Sequence, residues 1–463
     1  MTTTTATRQI EPYLEGFIEF QRLAHGHDQP WLRDLREHAF AVFCETGFPT
    51  THDEDWRFTN LAPIARTRFA LPSRTPVEIS GADLQPWRME RAGIELVFVD
   101  GHFVRELSVY NPLPPNMSVS SLKDAIVEQP ETIQSYLGGY LDIRRDPFCS
   151  LNTAFAEDGA YIRIGRGSAL EAPIHLLFVS TASDIPTIIH PRNLLLLEDE
   201  SQCTVIEEHV SLGNSPILSN SATELIAGES ATVSYYMIER EHRQAFNVST
   251  LRIQQNRSAN VALHSLLLGG GLVRNNVHPV LAGEGGECLI NGLFIGEGRQ
   301  HLDNYMHVEH ASPHCSSRQF YNGILDGHAH GVFHGRIVVH QQAQKTDAKQ
   351  TNRNLLLSDD AQIDTKPQLE IYADDVKCTH GATIGQIEEN ALFYLRSRGI
   401  DETSARKILL LAFAGECLDR MKAGPACAHA ERLVQEYLLS MAQRSVVGDR
   451  DESGIERNWE EVG

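Results

Sequence analysis

Short apolar segments separated by a recurring polar turn dominate the middle of the chain, from about residue 161 to residue 385. Each turn begins with a small or acidic residue, continues with Ser, Gly or Ala, and leads into a new apolar segment. The turns begin at Gly165, Asp199, Gly228, Asn256, Gly283, Asp326 and Asp359. Successive starts are 34, 29, 28, 27, 43 and 33 residues apart, and no helix-length amphipathic segment lies between them. This spacing indicates one supersecondary unit of β-structure that is repeated and stacked.

A stacked β unit of this length predicts a mainly β protein with a solenoid core whose strands run in parallel. A β-sandwich with evenly spaced turns is the alternative, but its turns usually recur about every 8–12 residues. We therefore favour the solenoid. The 43-residue interval is expected to hold either a loop insertion or an extra half-coil.

Helical and hairpin signals precede this segment. An apolar stripe at helical spacing runs from Trp31 to Phe43 and ends at Gly47. Asp100-Gly101 between two apolar runs predicts a hairpin. Ser121 with Asp124 three residues later is typical of the start of a helix.

Helical periodicity returns after the β segment. We expect helices over residues 388–398, from the capping residue Asp401 through Met421, and over residues 431–443. They could seal the open end of the solenoid, offer a docking platform to a partner, or do both.

The chain thus divides into a mainly helical N-terminal domain (1–155), a β core (156–386) and a C-terminal helical domain (387–463). A polar, acidic tail after Ser445 is expected to be mobile.

Composition excludes several classes of protein. The 463 residues carry a net charge of −21, which argues against a nucleic-acid or anionic membrane surface. No apolar run is long enough to span a membrane, and the N-terminus lacks the apolar stretch of a signal peptide, so we expect a cytoplasmic protein. The eight cysteines are scattered without a Cys-x-x-Cys pair, which argues against a disulfide framework and a closed four-cysteine metal site.

Signatures of common enzymes are also missing. The sequence contains no phosphate-binding Gly-x-x-x-x-Gly-Lys-Ser/Thr loop, no Gly-x-Ser-x-Gly nucleophile motif and no dinucleotide fingerprint around its one Gly-Gly-Gly run. The chain should therefore not hydrolyse ATP through a phosphate-binding loop of this kind.

A histidine-rich stretch invites an enzymatic interpretation. Eight of the 21 histidines lie between His301 and His340, and His328-Ala329-His330 is followed by His334. Imidazole suits zinc, iron and copper, so a metal-dependent cupin-like or β-helix enzyme is one interpretation. No carboxylate follows the pair at the spacing that a cupin would use. Polar side chains stacked on successive coils and bonded to backbone or water are the other interpretation, which we favour.

Cys378 and His380 form the second candidate site. They lie two residues apart in a β-type peptide, so both side chains point to one face of a strand with Cα atoms about 6.6 Å apart. A thiol and an imidazole placed in this way can bind one soft metal ion or one iron–sulfur species. By themselves, two such residues are more often packing residues than ligands.

The chain resembles the SufB/SufD family, the scaffold subunits of the Suf system for iron–sulfur cluster assembly. The resemblance is carried by Asp55–Thr59, Leu272–Asn275, Asn291–Leu293, His301–Asp303, Gly331–Gly335, Gln344–Ala348, Asn354–Ser358, Thr365–Ile371, Val376–Thr383 and Leu392–Ile400. It is strong over about residues 250 to 420 and looser in the N-terminal third. The Cys-Thr-His peptide is similar to the SufD type rather than the SufB type.

This resemblance implies a right-handed parallel β-helix between helical N- and C-terminal domains, in a scaffold protein that is not itself an enzyme. It implies pairing with a SufB paralogue, binding of the SufC ATPase by the C-terminal helices, and a transient Fe–S cluster shared with SufB at the SufB–SufD interface. Cys378 and His380 are the ligands that it implies for this chain. A homodimer is a further option when the chain is alone, and the sequence gives no support for a bound reduced flavin.

Overall fold

The computed structural model describes residues 2–24, 29–73 and 79–447 of the protein. In these residues ten α-helices, α1 to α10 in chain order, span Thr2–Leu23, Pro30–Thr46, Ala62–Arg66, Gly81–Leu84, Leu122–Glu128, Pro130–Tyr136, Pro147–Ala154, Glu389–Ser397, Glu402–Leu418 and Pro425–Val447. Twenty strands, β1 to β20, span Ile94–Val99, His102–Phe103, Met117–Ser121, Ala160–Ile164, Ile174–Ser180, Thr187–Ile189, Arg192–Leu197, Gln202–Ser211, Ile217–Ala227, Thr232–Arg240, Phe246–Gln255, Asn260–Leu267, Leu272–Leu281, Glu287–Gly296, His301–His310, Ser316–Leu325, His330–Val339, Asp347–Leu356, Gln362–Ile371 and Lys377–Gly385.

Two facing sheets form the core. Sheet 1 has the strand order β2-β1-β5-β8-β10-β12-β14-β16-β18-β20, and sheet 2 has the order β19-β17-β15-β13-β11-β9-β7-β4-β3 with β6 beside β9. From β7 onward the chain alternates between the sheets, and each strand pairs in parallel with the equivalent strand of the next coil. The result is a β-solenoid of about eight turns, with 27% helix and 39% strand overall. The predicted mainly β solenoid is confirmed.

The corner that leads from sheet 2 to sheet 1 repeats one backbone conformation. A single residue has a positive φ at seven successive corners, from the one between β4 and β5 to the one between β17 and β18: Gly167, Glu200, Ser230, Ser258, Gly285, His314 and Lys345. Its amide donates a hydrogen bond to a carbonyl of the following coil, as from Ser230 N to Arg257 O at 2.8 Å. The turn therefore links the coils as well as reversing the chain.

This corner explains the irregular 43-residue interval of the sequence. The turn after β15 has His314-Cys315 where most turns of the predicted series have Ser, Gly or Ala, so the sequence pattern did not identify it. The next turn in the predicted series, at Asp326, lies between β16 and β17, at the opposite corner. The interval thus spans one and a half coils, so the extra half-coil is confirmed.

The two ends of the solenoid differ. At the N-terminal end, β2 pairs with β1 and β3 pairs with β4 in antiparallel fashion, which closes both sheets. At the C-terminal end, sheet 1 stops at β20 and sheet 2 at β19, and no further strand of the described residues pairs with them. The edges and the inward face of the last coil are therefore free at this end.

Helices cover the two outer faces. Aromatic residues of α1, α2 and α7, among them Phe17, Phe43 and Phe148, pack with outward residues of sheet 2. Phe413 of α9 and Val434 of α10 belong to a second apolar cluster, which includes outward residues of sheet 1. α9 and α10 therefore lie across the outer face of sheet 1 rather than over the end of the solenoid.

Local signals were mostly reliable. The Asp100-Gly101 hairpin is confirmed by β1 and β2, and the side chains of Ser121 and Asp401 cap α5 and α9 as expected. The last helix starts earlier than expected, at Pro425, because proline is well tolerated in a first helical turn.

Strands β1 and β3, which precede residue 156, belong to the solenoid sheets. The division into three domains stays a prediction, and the tail expected after Ser445 lies beyond Val447 outside the described residues. None of the described helices combines the length and the apolar character needed to cross a bilayer.

Candidate functional site

Cys378 and His380 lie on β20, and the strand register turns both side chains toward the inside of the solenoid. Cys378 is aligned with Ala348 of β18 and, one coil earlier, with Ser317 of β16. These two residues are 1% and 0% exposed, and Gln350, which is aligned with His380, is 1% exposed. The two candidate ligands therefore share the inward face, as their spacing predicted.

The two side chains differ in environment. Cys378 is half-buried and packs against the main apolar core, whereas His380 is exposed at the open end. Partial burial raises the pKa of the Cys378 thiol above its ordinary value; the Asp347 carboxylate adds to the shift and a backbone hydrogen bond from Ala348 opposes it. The thiol is therefore protonated at neutral pH and must lose its proton to bind a metal ion.

Cys378 and His380 alone do not make a complete metal site. Within the part of the chain that the structure describes, no group of three or more His, Cys, Asp or Glu side chains is arranged to hold a metal ion. A metal ion bound by this thiol and this imidazole would need further ligands from elsewhere.

Exposed apolar side chains lie on the last coil and on the helix that follows it in sequence. They come from β19, the turn after it, β20 and α8: Ile371, Tyr372, Ile384, Phe393 and Tyr394, with exposed fractions from 40% for Ile371 to 73% for Phe393. α8 contains no buried residue at all. The last coil and α8 are therefore two candidate interaction surfaces.

The histidine-rich stretch lies on the opposite sheet. His301 of β15 and His330 of β17 occupy equivalent positions on neighbouring coils, with ring centroids 4.8 Å apart. His330 Nε2 lies 2.8 Å from Asp364 Oδ2, and His334 Nε2 lies 2.7 Å from Gln368 Oε1. The expected stacking on successive coils is confirmed, but the partners are side chains of the next coil rather than backbone or water.

The His328-Ala329-His330 pair does not converge on one point. His328 lies at the turn before β17, with its Nδ1 3.8 Å from Asp360 Oδ2, whereas His330 faces Asp364. Burial lowers the pKa of His301 and of His310 to about 4. His301 and His310 are therefore neutral at pH 7, and within the described residues the histidines of this stretch are not brought together as metal ligands.

Three of the segments that resemble the SufB/SufD family meet on the outer face of sheet 2. The Trp56 ring lies 3.7 Å from the Arg274 guanidinium carbon, and Arg274 Nη1 lies 2.5 Å from Asp303 Oδ2. Thr59 Oγ1 donates a hydrogen bond to the same carboxylate at 2.5 Å. The segment Asp55–Thr59 thus fastens the N-terminal helices to β13 and β15.

A buried charge network escaped the sequence analysis. Glu208 Oε2 lies 3.2 Å from His175 Nε2 and 2.9 Å from His429 Nε2, while its Oε1 lies 2.7 Å from Arg240 Nη1. Burial opposes protonation of His175, but Glu208 and Glu95 outweigh it and raise its pKa to about 9. His429 lies 221 residues from Glu208 along the chain. The imidazole at His175 inside an apolar strand was the only local signal.

Family comparison extends over both parts of the chain. A family model described as the SUF system FeS cluster assembly SufBD core domain matches residues 178–413, and one described as the SufBD protein N-terminal region matches residues 7–176.

Individual relatives align over most of their length. An iron–sulfur cluster assembly SufBD family protein of Synechocystis is 34% identical over 89% of this chain and 92% of its own. The iron–sulfur cluster assembly protein SufD of Escherichia coli is 32% identical over 88% of this chain and 91% of its own. The SufD of Bacillus subtilis is 23% identical over 96% of this chain and all of its own length.

Proposed function

This chain belongs to the SufBD family of the SUF system for iron–sulfur cluster assembly, and from this premise we propose that it is a non-catalytic scaffold subunit. In this proposal it pairs with SufB and binds the SufC ATPase. A nascent Fe–S cluster, the cargo of the system, then forms at the interface with SufB, with Cys378 and His380 as the ligands from this chain.

The observation that carries the proposal is the open last coil. Its free strand edges and its exposed apolar rim offer a surface that another β-solenoid can continue by strand addition. Cys378 and His380 lie on the inward face of this same coil. A partner seated there would cover both side chains and could supply the missing ligands.

Incomplete ligation suits a transfer scaffold. A closed cage of four thiolates would hold a cluster too firmly to pass it on, whereas a site divided between two subunits opens when the subunits move apart. Because the pKa of the Cys378 thiol is raised, the thiol can bind iron only when a partner or the incoming iron displaces its proton.

The C-terminal helices are proposed as the ATPase site. α8 has no buried residue, and Phe393 and Tyr394 on it are 73% and 57% exposed. α9 and α10 pack firmly on sheet 1, so movement imposed on them by an ATPase would reach the coil that ends at β20.

Co-expression of the tagged chain with SufB and SufC tests the proposal. We expect the complex to be captured whole, and His380→Ala to lose most of its iron and sulfide at an unchanged subunit ratio. Loss of a direct ligand should exceed the loss of about 10–100-fold in metal affinity that is typical when only a supporting residue is removed.

His328→Ala is the matched control, because that imidazole is 62% exposed at a turn of sheet 2. It should retain wild-type cluster content. Normal iron and sulfide in His380→Ala, or a loss confined to His328→Ala, would contradict the assignment of His380 as a ligand.

A further inference from the structure

A column of inward-facing side chains on sheet 1 leads to His380. Gln319 of β16, Gln350 of β18 and His380 of β20 are aligned on three successive coils. Gln319 and Gln350 are 2% and 1% exposed. Adjacent parallel strands are about 4.8 Å apart, so the Gln350 amide lies directly below the strand position of His380.

The orientation of the Gln350 amide is restricted on one side. Its Nε2 donates a hydrogen bond to Gln319 Oε1 at 2.8 Å. The same nitrogen contacts Gly335 of β17 across the core, at the position where a Cβ atom of residue 335 would lie. Because the nitrogen faces the preceding coil, the amide oxygen is left for the coil that follows.

That oxygen is unsatisfied. Gln350 Oε1 is buried and has no hydrogen-bond partner among the described residues. Buried amide oxygens are almost always bonded, so an unpaired one points to a missing partner. The residue aligned with Gln350 on the next coil is His380, and its imidazole always carries at least one N–H donor.

We propose that Gln350 is a positioning residue for His380: its Oε1 accepts a hydrogen bond from one ring nitrogen and so directs the other nitrogen to iron. Metal-binding histidines generally donate their second N–H to a carbonyl or carboxylate oxygen, which fixes the tautomer and the ring orientation. The inference rests on the proposed function, because it takes His380 to be a ligand.

Two variants at Gln350 separate positioning from packing. Gln350→Met keeps the length of the side chain and removes both polar groups. Gln350→Glu keeps an acceptor oxygen but loses the bond from Nε2 to Gln319 and buries a carboxyl group. If Gln350 only fills space and bonds to Gln319, Gln350→Glu should lose iron at least as readily as Gln350→Met. If Gln350 positions His380, Gln350→Glu should retain iron and Gln350→Met should not.

The measurement is the rate at which a ferrous-iron chelator removes iron from the tagged complex with SufB and SufC. We expect Gln350→Met to release iron about 10–100-fold faster than the wild type, and to change the visible circular dichroism of the bound cluster. Gln350→Glu should stay close to the wild type in both.

Asn352→Leu is the control for a lost buried amide on the same strand. Asn352 is also 1% exposed, but it is aligned with Ala382 rather than with His380. It should release iron at the wild-type rate even where its thermal stability falls. Wild-type release from Gln350→Met, or equal damage from Glu and Met, would overturn the inference.

The outcome is separable from that of the proposed function. Should His380→Ala keep its cluster, the ligand assignment fails whatever happens at Gln350. Should His380→Ala lose its cluster while Gln350→Met behaves as the wild type, the positioning role alone fails.

Discussion

Two adjacent glutamates on β8 are buried on opposite faces of sheet 1. Glu207 points inward and lies 2.8 Å from His209 Nε2, whereas Glu208 points outward to His175 and to His429 of α10. A buried carboxylate is costly unless it is paired, and both glutamates are paired with imidazoles. Glu208 therefore joins the solenoid to the last helix through its hydrogen bond with His429.

The first prediction concerns Glu208. Because the pKa of His175 is raised from 6.5 to about 9, the folded state binds a proton that the unfolded state lacks between these values. The stabilisation is complete below pH 6.5 and is lost as the pH rises through about 9. Glu208→Gln should lower the free energy of unfolding by about 3–5 kcal/mol at neutral pH. It should also reduce the decrease of this free energy as the pH rises through about 9.

Urea denaturation at several values of pH measures both effects. Glu229→Gln serves as the control, because the ion pair of Glu229 with Arg257 is exposed and should contribute less than about 1 kcal/mol. An equal loss in both variants, or an unchanged alkaline slope in Glu208→Gln, would contradict the role given to the buried network.

At the scale of the elements, inward glycines make room for large neighbours on the next coil. Gly292 of β14 is aligned with Tyr321 of β16, and the Tyr321 ring occupies the space where a Cβ atom of Gly292 would lie. The ring is held there because its hydroxyl lies 3.1 Å from Ser265 Oγ. Neighbouring coils therefore pack through a large side chain on one strand and a glycine on the next.

The second prediction is that Gly292→Ala destabilises the solenoid by about 1–3 kcal/mol, because the added methyl group overpacks the core. Urea denaturation followed by far-ultraviolet circular dichroism measures the change. Gly381→Ala on β20 is the matched control, since no atom lies within 4 Å of the added Cβ. A neutral Gly292→Ala would mean that Tyr321 moves freely.

At the scale of the whole molecule, the fold is asymmetric along its axis and across it. Antiparallel strands close one end, and the other end is open. The N-terminal helices cover sheet 2, and the C-terminal helices cover sheet 1. Two separate exposed surfaces, the last coil and α8, therefore lie near the same end.

The third prediction assigns one proposed partner to each surface. Ile384→Lys on β20 should weaken pairing with SufB, because it places a charge on an apolar rim that pairing would bury. Phe393→Glu on α8 should weaken capture of SufC instead. Tagged co-purification measures both, and each variant is the control for the other.

Loss of both partners from either variant, with an unchanged melting temperature, would show that the two surfaces form one site. Loss of neither would place the docking surfaces elsewhere on the molecule.

The sequence by itself determined the features that depend on local geometry. The turn spacing predicted the solenoid, the caps at Ser121 and Asp401 follow from side chains that bond to nearby amides, and the shared face of Cys378 and His380 follows from the two-residue period of a strand. The corners at His314 and Lys345 were missed because His314-Cys315 and Lys345-Thr346 lack the Ser, Gly or Ala of the predicted turns, although the same bond to the next coil forms there.

Only the tertiary structure decided what depends on contacts between distant segments. It turned the C-terminal helices onto sheet 1, brought His429 to Glu208 across 221 residues, and aligned Gln350 with His380. The physical reason is that inter-coil register and the burial of charge are set by the packing of whole coils and helices, which no short stretch of sequence encodes.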